Sequence, residues 1–386
     1  MFAVSLGLAA VAIWLYLVFG RAFFWLQRPS QHIPYSLHGA VIAAVVPARN
    51  EAAVIPETIP ALVQQDYEGY FHVFLVDDHS DDRTGPLARQ AAQSVGRTER
   101  LTVLQAPPLP DGWTGKLWAL ETGIRSALEV FPDIEYFLLT DADILHPQHS
   151  LSRLVALMEA GSLNGRPYAL VSLMARLHCS SLVEKLLIPA FVFFFQMLYP
   201  FRRANSPSDR VAAAAGGVML VDRRALEEIG GLESIRGALI DDCTLAAAIK
   251  RQGRIWIGLS SDIRSVRVYK SLWEIWRMVS RTAFTQLKHS RALLLATVLG
   301  LIVTYLAPPL LLLSDSRPAV YLGAASCILM AGSYFPTVRF YRLNPLWSLV
   351  LPVTAMIYAG ATVDSARRYW KNAGGEWKGR VQARQP

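Results

Sequence analysis

Cysteine and charge are both scarce in this chain. Among 386 residues there are three cysteines, Cys179, Cys243 and Cys327, too far apart for any metal-like spacing. They read as reduced thiols on the cytosolic side of a membrane. Charged residues make up 18% of the chain against 53% hydrophobic, and the mean hydropathy is +0.29. That balance fits a membrane protein with a soluble part better than a soluble enzyme. No nucleic-acid motif accompanies the net charge of +8, so a nucleic-acid partner is not expected. Much of the basicity flanks apolar spans instead, as membrane topology requires. The chain also lacks an internal repeat and a low-complexity linker. Its apolar start has neither the basic leader nor the clear small-residue cleavage site of a signal peptide.

Long hydrophobic runs are what it has. Residues 1–20 are almost continuously apolar and are followed by Arg21 and Arg28, which predicts a membrane anchor over 1–27 with its carboxyl-terminal flank in the cytoplasm. Three more runs, 292–313, 319–335 and 346–363, each approach the ~20 residues needed to span a bilayer. Residues 292–386 therefore read as a transmembrane region with a basic tail, carrying Arg367, Arg368, Lys371, Lys378, Arg380 and Arg384. Four crossings would put that tail outside, although its charges favour the cytoplasm. Either one run is re-entrant, or the run kinked at Pro308-Pro309 folds back. Two shorter stretches read as helices lying in the membrane interface. One is 181–201, interrupted by Glu184, Lys185 and Pro189. The other is 271–289, with Leu272, Ile275, Trp276, Val279, Ala283 and Leu287 near helical spacing. Plain core packing is the alternative for each.

Residues 28–291 hold the catalytic candidate. Strands are expected at 41–46 (stopped by Pro47), 73–76 and 101–104, with helices at 52–64, 83–93 and 116–130. This rhythm implies βαβ units, a mostly parallel sheet and an α/β fold. The pattern centres on 136–143, where an apolar strand ends in Asp141-Ala142-Asp143. Ligands of α/β sheets gather at such carboxyl ends. Two acids this close repel unless a cation lies between them. Mg²⁺ or Mn²⁺ suits their oxygens together with substrate phosphates. A metal–diphosphate site is one reading of Asp141 and Asp143, and a solvated turn is the other.

Four motifs accompany this pair. Pro47, Arg49 and Glu51 lie in Pro47-Ala48-Arg49-Asn50-Glu51, where polar groups can hold a base or ribose, though Glu51 can equally cap a helix. In 76–84, Asp77 and Asp78 can accept hydrogen bonds from a nucleoside, whereas Asp81 and Asp82 suit helix capping. Lys116 follows Gly112 and Gly115 at a helix start, where it can meet phosphate or simply be solvated. Finally, Gly216 and Gly217 suit a tight acceptor pocket or a bulge, and Asp241-Asp242 opens a helical pattern. One of these two acids can serve as a general base, with N-capping the competing role.

In this order, PARNE, VDDHSDDRT, GK, a strand ending in DxD, AxGG and a paired acid resemble the family 2 glycosyltransferases of GT-A fold. The resemblance covers roughly 41–290. The anchor, the GWTGKLWAL stretch and the carboxyl-terminal runs look most like the membrane branch associated with hopanoid biosynthesis, and the ceramide glucosyltransferase branch is similar in layout. The resemblance implies a multi-pass protein of the bacterial inner membrane with a cytoplasmic catalytic domain. It implies transfer of a sugar from a nucleotide-sugar donor, expected to be a UDP-sugar, to a lipid acceptor, with Mg²⁺ or Mn²⁺ as cofactor. Asp77, Asp78, Arg49 and Glu51 would then contact the nucleoside. Asp143 would bind the metal with Asp141 in support, and Asp242 would act as base in an inverting displacement. Processive relatives carry QxxRW after the paired acid. Here Met278 and Thr282 replace the Gln and Trp, and Arg281 alone can play the arginine, which speaks against a polysaccharide synthase. A catalytically silent scaffold of the same fold is the remaining alternative.

Overall fold

The computed structural model describes residues 1–26, 39–160, 167–371, 375–377 and 380–381. Arg28 of the anchor flank, and Lys378 and Arg384 of the tail, lie outside the described residues. The chain divides into two compact units.

The first comprises Arg28–Leu177, Ala204–Arg267 and Glu376–Pro386. Its short, aliphatic-rich runs form one eight-stranded sheet: β1 (Ile42–Ala48), β2 (Phe71–Asp77), β3 (Leu101–Gln105), β4 (Tyr136–Thr140), β5 (Ile144–Leu145), β6 (Leu170–Arg176), β7 (Val218–Asp222) and β8 (Ile255–Ser265). The spatial order is β3-β2-β1-β4-β7-β6-β8-β5. Strands β1 to β4 are parallel, β7 is antiparallel to β4 and β6, and β8 runs parallel to β6. The carboxyl ends of β1, β2, β4, β6 and β8 and the amino end of β7 therefore share one edge. The motifs lie along that edge.

Both faces of the sheet are covered, which is why its strands are apolar throughout. Alternate residues of β1 go to opposite sides. Ile42, Ala44 and Val46 pack with Ile55, Ile59 and Leu62 of the Ile55–Val63 helix, while Ala43 and Val45 pack with Leu117, Leu120 and Ile124 of the Gly115–Val130 helix. That second helix lies so close that a Cβ at Gly123 would stand 2.4 Å from Val45 Cγ1. One expectation is corrected here. The first strand does not stop at Pro47 but runs on to Ala48, paired with Asp77. Pairing with β4 ends at Val45, so the missing amide of Pro47 breaks no ladder on that side.

The second unit comprises Met1–Gln27, His178–Arg203 and Val268–Gly375. The two stretches expected to be interfacial thus group with the apolar helices rather than with the sheet. Among the described residues four helices are long and apolar enough to cross a membrane: Phe2–Gly20, Arg291–Leu311, Arg317–Phe340 and Pro345–Trp370. The second of these does not fold back at Pro308-Pro309. A wide π turn over Ile302–Leu306 precedes the prolines, and the helix continues to Leu311. The irregular turn accommodates their missing amides.

The last helix ends beside the start of the second span. Arg291 lies 5.3 Å from the Trp370 ring, and Leu294 packs with Phe284 and Ala366. Glu184, read from sequence as an interruption, closes a capping box with Ser181 at the start of the Leu182–Leu198 helix. It also accepts hydrogen bonds from the Tyr269 amide and from His178 Nδ1. In the Leu272–Ser280 helix Ile275 is buried, Leu272 and Trp273 are exposed, and Trp276 donates to Asp364.

Candidate active site

Glu51, Asp77, Asp78, Asp141 and Asp143 lie at or just past the strand ends on the shared edge, and Asp241 and Asp242 join them from the start of the Asp241–Ile249 helix. At the tip of β4 the turn is pinned from two sides. Thr140 donates through Oγ1 to the Gly217 carbonyl, which also accepts from the Asp141 amide, and Thr58 donates to the Ala142 carbonyl between the two aspartates. Asp141 and Asp143 are thereby held at fixed positions. A Cβ at Gly217 would press on Ile144 Cδ1 at 3.0 Å, which explains a glycine at that crossing.

Lys116 is the hub. Thr114 caps the Gly115–Val130 helix and places Lys116 in its first turn. Its Nζ stands 2.9 Å from Asp141 and 3.1 Å from Asp241. The loop before β7 brings Gly216 under the same group, and a Cβ there would lie 3.1 Å from Nζ and 3.4 Å from Asp242 Oδ2. Lacking that carbon, Gly216 donates its amide to Asp242 Oδ2 at 2.9 Å, while Asp242 Oδ1 accepts from the Cys243 amide. Asp241 and Asp242, adjacent in sequence, therefore face different partners from the first turn of one helix.

The charges of this group are strongly perturbed. Burial and the neighbouring Asp241 push Asp242 up to about 6, against the opposing pull of Lys116. Asp141 is raised by desolvation, with Asp143 adding to the effect and Lys116 opposing it. Desolvation works against the Lys116 charge, but Asp141 and Asp241 hold it and raise its pKa. A carboxyl poised near 6 is suited to accept a proton at neutral pH.

The other two motifs are zipped together. The Asn50 amide donates to Ser80, Glu51 to Thr84 Oγ1, and Ala52 to Asp82 Oδ2, while Asn50 Oδ1 accepts from Asp81. Asn50 and His79 adopt positive φ of 52° and 55° in the two facing turns. Such strain in non-glycine residues concentrates at functional loops. Asp77 caps its own turn by accepting from the Ser80 amide. Asp78 is 1% exposed and lies 3.5 Å from Arg49, which also donates to the Asp78 carbonyl. Pro47 is buried inside β1. Its part is to shape the strand end. Arg281 is exposed and belongs to the helical unit.

One residue of the cluster escaped the sequence. Arg267, two residues past the end of β8, donates through Nη2 to both oxygens of Glu51 (2.7 and 2.8 Å) and through Nε to Asp143 Oδ2 at 3.1 Å. Ser265 donates to the same Asp143 oxygen. Nothing in Ser265-Val266-Arg267-Val268-Tyr269 marks it as functional. Its partners lie 216 and 124 residues away, and the β5–β8 pairing of Ile144 with Ser265, with the Val266 amide on the Asp143 carbonyl, brings it to them.

Hard oxygens at Asp141 and Asp143 fit Mg²⁺ or Mn²⁺. No group of three His, Cys, Asp or Glu side chains could hold a metal among the described residues. The remaining ligands would have to come from a diphosphate and water, as is usual for Mg²⁺.

A mostly parallel sheet with paired acids at its carboxyl edge, and a lysine that joins one of them to a second acid pair, defines a GT-A fold. The sequence profile of the Glycosyltransferase like family 2 matches residues 38–281, and the chain belongs to that family and is a glycosyltransferase. Its structure is similar to that of the mannosyltransferase PcManGT from Pyrobaculum calidifontis, solved in complex with GDP-Man and Mn²⁺. Identity is 20% with a TM-score of 0.59, over 94% of this chain and 99% of that one. Glucosyl-3-phosphoglycerate synthase from Mycobacterium tuberculosis, solved with Mg²⁺ and UDP, matches at 18% identity and a TM-score of 0.40, over 68% of this chain and 85% of that one. No curated protein sequence matches the chain.

Proposed function

We propose that this protein is a membrane-bound, inverting glycosyltransferase that moves a sugar from a nucleotide-sugar donor to a lipid hydroxyl. One observation carries the reading: Asp141, Asp241 and Asp242 converge on Lys116 at the carboxyl edge of the sheet, with Asp143 adjoining. Asp242 takes the proton of the acceptor hydroxyl as that oxygen attacks the anomeric carbon, and the nucleoside diphosphate leaves from the opposite face. A single displacement inverts the configuration. Asp141 and Asp143 would hold Mg²⁺ or Mn²⁺, which supplies positive charge for the leaving diphosphate when bound. Arg49, Asp77 and Asp78 shape the nucleoside end, and Lys116 balances charge beside the diphosphate. The GDP-Man and Mn²⁺ held by the PcManGT structure support this donor class.

A lipid acceptor, hopanoid or another polyisoprenoid, is supported by four helices apolar enough to span a membrane and by the exposed Leu272 and Trp273 of the Leu272–Ser280 helix. Turnover of labelled GDP- and UDP-sugars with Mn²⁺ and lipid extract tests the reading. Product formation is expected, and absence of both turnover and nucleotide binding would leave only a scaffold. Asp143→Ala should weaken Mn²⁺-dependent nucleotide affinity by at least about tenfold, a loss of about 1.4 kcal/mol. Equal affinity with and without Mn²⁺ in the parent protein would reject a metal at Asp143.

The catalytic unit is read as cytoplasmic. Arg291 beside Trp370 supports a reading in which the start of the second span and the end of the last helix lie on one side of the bilayer. Arg367 and Arg368 then lie where basic residues are favoured. A cysteine introduced as Lys371→Cys in a cysteine-free background should react with a membrane-impermeant maleimide in inverted vesicles and not in spheroplasts. The opposite pattern would reverse the assignment.

A further inference from the structure

Arg267 is the cation that the transferase reading leaves without a task. Five carboxylates, Glu51, Asp141, Asp143, Asp241 and Asp242, face two cations, Lys116 and Arg267. Lys116 serves Asp141 and Asp241, whereas Arg267 serves Glu51 and Asp143. On Glu51 the single nitrogen Nη2 reaches both carboxylate oxygens, at 2.7 and 2.8 Å. The hold on Asp143 is a single Nε–H, shared with Ser265 on one oxygen. Arg267 is therefore anchored on Glu51 and only leans on Asp143. Its side chain is 31% exposed while Glu51 is 10% and Asp143 13% exposed, so it can leave Asp143 without being pulled from a closed core.

We propose that Arg267 is a positioning residue that occupies Asp143 in the empty site and yields that carboxylate to the divalent ion when a nucleoside diphosphate enters. This rests on the transferase reading above and adds to it an order of events. A single aspartate oxygen cannot keep both the guanidinium and a divalent ion at full strength, since the two positive charges repel. Metal alone must displace Arg267 without compensation. Metal arriving with a diphosphate offers the freed guanidinium a new anionic partner while Glu51 keeps the arginine tethered. Arg267 thus makes metal affinity depend on the presence of donor. Arginine rather than lysine suits the task, because only a fork can hold Glu51 with one nitrogen and reach Asp143 with another.

The test is Mn²⁺ binding, followed by the electron paramagnetic resonance signal of free Mn²⁺, with and without GDP or UDP. The parent protein should bind Mn²⁺ weakly alone and at least tenfold more tightly with the nucleotide it accepts. In Arg267→Gln, Mn²⁺ binding without nucleotide should tighten about tenfold and the gain from nucleotide should shrink. Arg267→Lys should fall between the two. Should Arg267→Gln fold poorly because Glu51 is left unpaired, Glu51→Gln/Arg267→Gln keeps an uncharged hydrogen-bonding pair and should show the same tightening. Unchanged or weaker Mn²⁺ binding in these folded variants, beside normal nucleotide-dependent binding in the parent, overturns the role of Arg267 and leaves the transferase reading intact. No Mn²⁺ or nucleotide binding by the parent protein itself overturns both.

Discussion

Replacing Asp242 with asparagine should abolish most of the transfer while leaving the nucleotide in place. A positioned general base contributes about 10²–10⁴-fold, and Asp242 is the acid proposed for that role. Its Oδ2 is oriented by the Gly216 amide and its Oδ1 by the Cys243 amide. Burial, followed by Asp241, raises its pKa to about 6. Asparagine keeps the shape but cannot accept the proton of an attacking hydroxyl. GDP or UDP affinity should stay within about twofold, because the reading gives Asp242 no contact with the nucleotide. Initial rates beside equilibrium nucleotide binding separate the two effects, and undiminished transfer would remove Asp242 from the base role. The pH dependence follows from the direction of the shift. The base works ionised, so the parent rate should be full above about pH 7 and fall roughly tenfold per pH unit below about 6. A rate independent of pH from 5 to 8 would point to another base.

Lys116→Met should damage both stability and binding. Lys116 neutralises Asp141 and Asp241 at 2.9 and 3.1 Å, with Asp242 also within its field. Removing one partner of a buried charge pair costs about 3–5 kcal/mol because the other charges are left unbalanced. Asp141 is 36% exposed, so solvent screening places the expected loss at or below the lower end of that range. Denaturant unfolding of the isolated protein at pH 8 should show a midpoint clearly below that of the parent. Nucleoside diphosphate affinity should fall by more than tenfold, since the acids then repel an anionic ligand. Lys116→Arg should recover part of both. Unaltered stability and binding in Lys116→Met would mean that the acids are balanced elsewhere and that Lys116 is an ordinary surface lysine.

Much of the fold was legible because it depends on local pattern. The aliphatic-rich runs that became β1, β2 and β4 must lie in the middle of a covered sheet, and the acids that follow them must lie at its edge. Pro47 misled as a stop signal because the outcome turned on which neighbour strand β1 still had at that point. The prolines at 308 and 309 misled in the same way, since the wide turn ahead of them is a property of the packed helix. Glu184 looked like a break in an apolar helix and proved to be its cap through a local box with Ser181, whereas its bond from the Tyr269 amide depends on the fold. Arg267 carried no local signal at all.

The amino-acid sequence by itself determined the alternation of strands and helices, the apolar helices that flank it, and the residue types able to hold a metal and a diphosphate. Those follow from periodicity and from the chemistry of each side chain, which need no neighbours. Tertiary structure alone decided which acid meets which cation: Asp141 and Asp241 share Lys116, Glu51 and Asp143 share Arg267, and Asp242 rests against Gly216. Electrostatic partnership falls off within a few ångströms and takes no account of distance along the chain, so only the folded sheet could assign it.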